Sequence, residues 1–178
     1  MLPCIRASIG AALLAALLFV PGARAADTGV PVDPGQTVSA LWRAMSHEAG
    51  VAADTATLRA IFHADAVVFG SRLRDGRPSL KRTAINDFLK AFEPVGEAGF
   101  HECEIARSIE AYDRFATVYS VVESRTDPSA STPDFTGVNS LQLYRDDAGW
   151  KIISLYYHVE TAGHPIPEAA DRTGQCMR

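Results

Sequence analysis

The stretch FATVYSVVESR carries the side chains best suited to acid–base work. At the two-residue period of a strand, Tyr119, Val121, Glu123 and Arg125 share one face. A carboxylate facing a cavity can give or take a proton, which dehydration or epoxide hydrolysis would require. Glu123 is the candidate for that role; the other reading is a structural ion pair with Arg125. Further on, GVNSLQLYRDDAGWKIISLYYHVE (137–160) reads as two strands around a tight turn. Asn139 shares a face with Leu141 and Leu143, and Tyr157 shares one with Leu155 and Val159. These two polar tips can orient a ligand, or they can satisfy each other or nearby backbone, as buried polar groups must.

Other chemistries find less support. No G-x-S-x-G elbow, phosphate-binding glycine loop or H-E-x-x-H is present. His101 and Cys103 share a strand face, as do His158 and Glu160, but a metal centre needs three or four convergent ligands and no spacing here supplies them. His158 should face away from a pocket that Tyr157 faces. His47 and His63 fall near the ends of expected helices, where the helix dipole favours them at the surface. Neither a metal nor a cofactor is expected. Cys103 and Cys176 can pair in an oxidising compartment or remain as two free thiols; sequence does not measure their distance.

The ends of the chain bound where this chemistry would operate. Arg6, the apolar run IGAALLAALLFV and the small residues Ala23 and Ala25 make residues 1–25 a secretory signal peptide with an A-x-A cleavage site. The apolar run is too short for a membrane-spanning helix. Cleavage removes Arg6 and Arg24 and leaves 153 residues with 15 basic and 21 acidic side chains. An exported protein, periplasmic or secreted, is expected. Its mild acidity and lack of a basic cluster argue against nucleic acid as a partner.

The elements that must position these residues are legible in the hydrophobic periods. Residues 26–35 read as a flexible leader. In 36–49, Val38, Leu41, Trp42, Met45 and Ala49 form one helical stripe, with Gly50 as its stop. Asp54 is a good cap for a second helix burying Leu58, Ile61 and Phe62. AVVFG reads as a short strand, and RLRDGRP as a second strand or a turn. Thr83 can cap a third helix with the stripe Ile85, Phe88, Leu89 and Phe92. From Phe100 the period becomes strand-like, in the runs 100–109, 115–125, 138–145 and 150–160. Gly149 suits a positive-φ position in the last turn. Residues 161–178 read as a polar tail. Three helices followed by antiparallel strands is an α+β pattern in which helices on the concave face of a bent sheet leave a pocket.

The segments LRAIFHADAVVFG, DGRPSLKRTAINDFLKAF, FATVYSVVESR and the final hairpin resemble, in order and spacing, the nuclear transport factor 2-like superfamily, and most closely its SnoaL-like branch, over residues 36–160. The resemblance implies a cone of curved antiparallel sheet closed by three N-terminal helices, and a homodimer through the outer sheet face. That face would carry Ser140, Gln142, Tyr144, Ile152, Ser154 and Tyr156. It also implies where catalysis would reside. The base aspartate of the ketosteroid isomerase branch falls on Gly70, its helix tyrosine near Leu41 and Trp42, and its oxyanion-binding acid near Asn139. None of these three positions keeps the required group. The expectation is a cavity that binds a small, partly apolar molecule. Its lining would include Trp42, Met45, Phe69, Phe88, Phe92, Tyr119, Asn139, Leu155 and Tyr157. The alternatives are a lyase, cyclase or isomerase using Glu123 with Asn139 and Tyr157, and a dimeric interaction module.

Overall fold

The computed structural model describes residues 33–177; the expected signal peptide and most of the expected leader lie outside them. The elements run α1 (Pro34–Met45), α2 (Thr55–Ile61), β1 (Phe62–Arg74), β2 (Arg77–Ala84), α3 (Ile85–Leu89), β3 (His101–Tyr112), β4 (Phe115–Arg125), β5 (Phe135–Asp146) and β6 (Gly149–Val159). The six strands form one sheet in the order β2-β1-β6-β5-β4-β3. Every pairing is antiparallel except β1 with β6, so the sheet is mixed. The chain leaves the β1–β2 hairpin through α3 and starts again at the far edge with β3. The meander from β3 to β6 then returns to β1, and β6 arrives parallel to it.

Local chemistry sets the element ends. The Asp33 carboxylate accepts the Gln36 N–H at 3.0 Å and Pro34 occupies the first turn, so the last residues of the expected leader belong to α1. The helix ends at Met45, four residues short of the expected end, because Ser46 is extended and its hydroxyl donates to the Trp42 carbonyl at 2.7 Å. Asp54 caps α2 through the Thr57 N–H at 2.9 Å. Thr83 caps nothing: β2 runs through to Ala84, which precedes α3 without a side-chain bond. The β1–β2 turn places Asp75 and Gly76 at φ 52° and 74°, the pair of positive values a two-residue hairpin turn of this hand requires.

The helices cover one face of the sheet. Leu41, Leu58, Leu89, Val118, Leu141 and Ile152 are almost wholly buried in this main core, each stabilising by roughly 1.5–3 kcal/mol relative to an exposed side chain. Ile152 belongs here and not on the outer face. Gln142 pairs with Ser154 while Leu143 pairs with Ile152, so Ile153 is an extra residue in β6 and the inward–outward alternation changes phase there.

The last segment is docked, not free. Ile166 is buried with Ile105 and Val121 on the outer face of β3 and β4. The Met177 N–H donates to the Glu104 carbonyl at 2.7 Å. Cys103 and Cys176 are joined by a disulfide, with sulfurs 2.08 Å apart.

Candidate functional site

A cavity of about 250 Å³ opens between the helices and the concave side of β3–β6. From α1 come Trp42 and Met45, one turn apart on the stripe that faces the sheet. Phe88 of α3 and Phe92 of the following 3-10 turn add an edge-to-face pair with ring centroids 5.2 Å apart. Phe100, Val122, Phe135, Leu155, Tyr157 and Val159 contribute most of the remaining apolar surface.

One carboxylate enters this lining. Glu102 sits opposite Ser124 across the β3–β4 ladder, and the Ser124 hydroxyl donates to its Oε2 at 2.8 Å. Its backbone N–H donates to Ser46 Oγ at 2.9 Å, which ties the end of α1 to the strand beside it. Burial is the main influence on the carboxyl and pushes its pKa up to about 7; the Ser124 hydrogen bond opposes this more weakly. No Lys or Arg lines the cavity among the described residues.

Asn139 and Tyr157 are cross-strand neighbours on the same lining. The Asn139 amide donates to the Ser120 carbonyl at 3.4 Å. Tyr157 lies over Gly70: a β-carbon built on that glycine would come 2.4 Å from the phenol oxygen. His158 reaches the cavity edge, but its Nδ1 is 2.5 Å from Ser71 Oγ, which also accepts the Tyr156 hydroxyl at 3.0 Å.

Three expected site residues lie elsewhere. Phe69 precedes Gly70 in β1, so it points to the opposite face, beside Tyr156. Tyr119 also faces outward and donates to Glu168 of the docked tail at 3.3 Å. Glu123 is on that outer face too. It is 1% exposed, accepts from Arg125 Nη2 at 2.8 Å and accepts the Gly174 N–H at 2.9 Å. It is the structural ion pair, sealed by the tail, and an enzyme built on Glu123 loses its central group. The physical reason is shared by Tyr119 and Glu123. On β4 the helix-facing set is Val118, Ser120, Val122 and Ser124, so the odd-numbered side chains turn away from the cavity.

Glu102 was missed because a charged side chain reads as solvent-facing. A usable signal existed: once His101 and Cys103 share one face, Glu102 must take the other.

An NTF-2 like protein of unknown function from Silicibacter pomeroyi DSS-3 superposes with a TM-score of 0.50 at 19% identity, covering 71% of this chain and 92% of that one. A protein of unknown function with a cystatin-like fold from Nostoc punctiforme PCC 73102 gives 0.53 at 13% identity, over 72% and 89%. An NTF2-like protein from Cytophaga hutchinsonii ATCC 33406 gives 0.51 at 13%, over 71% and 92%. The chain has the nuclear transport factor 2-like fold. No family model and no curated protein sequence matches it, so the likeness is one of three-dimensional shape. A nuclear transport factor 2-like fold hosts unrelated activities, and the site alone must carry the argument for function. These structures do not single out the SnoaL-like branch.

Proposed function

We propose that this is an exported protein that binds a small, largely apolar molecule in the cavity of its nuclear transport factor 2-like fold. The observation that carries the reading is the cavity itself: about 250 Å³ of space lined mainly by aromatic and aliphatic side chains, with a few polar groups set among them. The Cys103–Cys176 bond fits an oxidising compartment and supports the export half of the reading.

The test is titration with a neutral aromatic probe, 1-propylbenzene, read by calorimetry. The expected result is saturable binding that is lost in Val159→Trp, because Val159 lines the cavity yet is 37% exposed, so a larger ring there fills the space without overpacking the core. Absence of saturable binding, or binding unaffected by that substitution, would sink the reading.

A second reading, a homodimer through the outer sheet face, is favoured by one observation. Phe115, Tyr144, Ile153 and Tyr156 are each at least 37% exposed on that face, beyond the part covered by the tail. Light scattering that finds only monomer at high concentration would overturn it.

A further inference from the structure

We infer that the ligand of this cavity is a small aromatic or alkyl amine bound as its cation, with Glu102 as the counter-charge; the inference rests on the cavity reading above. Three features converge. The first is the carboxyl itself. Among the described residues Glu102 Oε2 has one protein partner, the Ser124 hydroxyl, and no cationic side chain neutralises the group. A carboxylate held among rings and aliphatic groups is costly unless an opposite charge joins it.

The second is the rest of the lining. Trp42, Phe88, Phe92, Phe100, Phe135 and Tyr157 present six aromatic rings to the same space. Ring faces attract cations, and desolvation strengthens that attraction. An anionic ligand would meet a carboxylate and no Lys or Arg. A neutral ligand would leave the carboxylate uncompensated. A hydrophobic ammonium satisfies both parts of the lining.

The third is the field outside. The chain carries 21 acidic against 17 basic residues, so long-range steering favours a cation over an anion.

The proton balance follows. An ammonium ligand stabilises the carboxylate form, so Glu102 loses its proton on binding when the solution is near or below pH 7. The other titratable groups on the lining are Tyr157 and His158 of β6; α1, α3, the 3-10 turn after it, β4 and β5 bring none to it, and the neighbouring hollow that Glu102 also borders brings His101 and Arg125, the latter held by Glu123.

The experiment compares phenethylamine, a cation throughout this range, with 1-propylbenzene and 3-phenylpropanoate by calorimetry. Phenethylamine affinity is expected to fall about tenfold from pH 8 to pH 6, following the ionised fraction of Glu102. Propylbenzene affinity should stay level, and phenylpropanoate should bind most weakly at pH 8. Glu102→Gln should lower phenethylamine affinity at pH 8 by at least about tenfold, remove its pH dependence and leave propylbenzene within about threefold. Propylbenzene binding without that loss in Glu102→Gln overturns the cation assignment and leaves the cavity reading intact. A pH dependence that survives in Glu102→Gln assigns the proton to another group and likewise overturns it. If neither probe binds, both readings fall.

Discussion

The Tyr157 phenol occupies the space that a side chain at Gly70 would need. A β-carbon there would stand 2.4 Å from the hydroxyl oxygen and 2.5 Å from the ring carbon that bears it. Gly70 and Tyr157 are direct partners across the parallel β1–β6 ladder, so the contact is built into the register. By the resemblance, a ketosteroid isomerase would place its base at this strand position. Here the glycine and the tyrosine are one arrangement: the phenol tip can reach the strand because the side chain is missing.

That relationship predicts a coupled pair of effects. Gly70→Ala should destabilise the protein by about 1–3 kcal/mol, the usual cost of overpacking. In a Tyr157→Ala background the same change should cost far less. Urea denaturation of the four proteins in the cycle measures the coupling, and additive effects would show that the ring moves aside freely.

Glu102 should make stability depend on pH. Its folded pKa, about 7, lies above its ordinary value of 4.5. Between these values the unfolded chain has released the proton and the folded one retains it. Folding therefore becomes less favourable as pH rises from 4.5 to 7, and the loss levels off above. Glu102→Gln should remove that slope and be the more stable protein at pH 8, by roughly 1–3 kcal/mol. Denaturation at pH 5 and pH 8 checks the sign; a group positioned for function at a cost in stability would behave this way.

Removing the carboxylate of the buried pair on the opposite face should destabilise the protein. Glu123→Ala leaves the Arg125 guanidinium buried without its carboxylate and removes the acceptor of the Gly174 N–H. A loss of about 3–5 kcal/mol is expected. Probe binding in the cavity should be unchanged under conditions where the variant remains folded, because Glu123 is separated from it by the sheet. Lost binding in a folded variant would reopen a role for this residue.

The disulfide should hold the tail to the sheet. Cys103 and Cys176 are 73 residues apart in sequence, a loop whose closure is worth about 4 kcal/mol on the chain-entropy account. Cys176→Ser should lower the midpoint of unfolding and speed hydrogen exchange in residues 161–177 before it affects the helices. Intact-mass measurement with and without reductant, after alkylation, checks that the bond is present.

Much of the fold was legible because periodicity is a local property. The stripe of α1, the Asp54 cap, the Asp75–Gly76 turn and the long strands each follow from residues within a few positions of one another. The cavity was legible in part. Trp42, Met45, Phe88, Phe92, Asn139, Leu155 and Tyr157 lie on its lining, each on a helix stripe or strand face that the sequence spacing marks.

What the sequence by itself determined is which side chains travel together: a period of two binds Tyr119 to Glu123, and Asn139 to Leu141. It does not determine which of two faces turns to the helices. That choice was made by tertiary structure. The pairing of β3, β4 and β5 turned Glu123 and Tyr119 under the C-terminal tail and Glu102 into the cavity. The bulge at Ile153 changed phase within a single strand and drew Ile152 inward. The tail's place was likewise settled by a partner 73 residues away. A strand's alternation is symmetric until something packs against one side, and only the assembled helices and sheet break that symmetry.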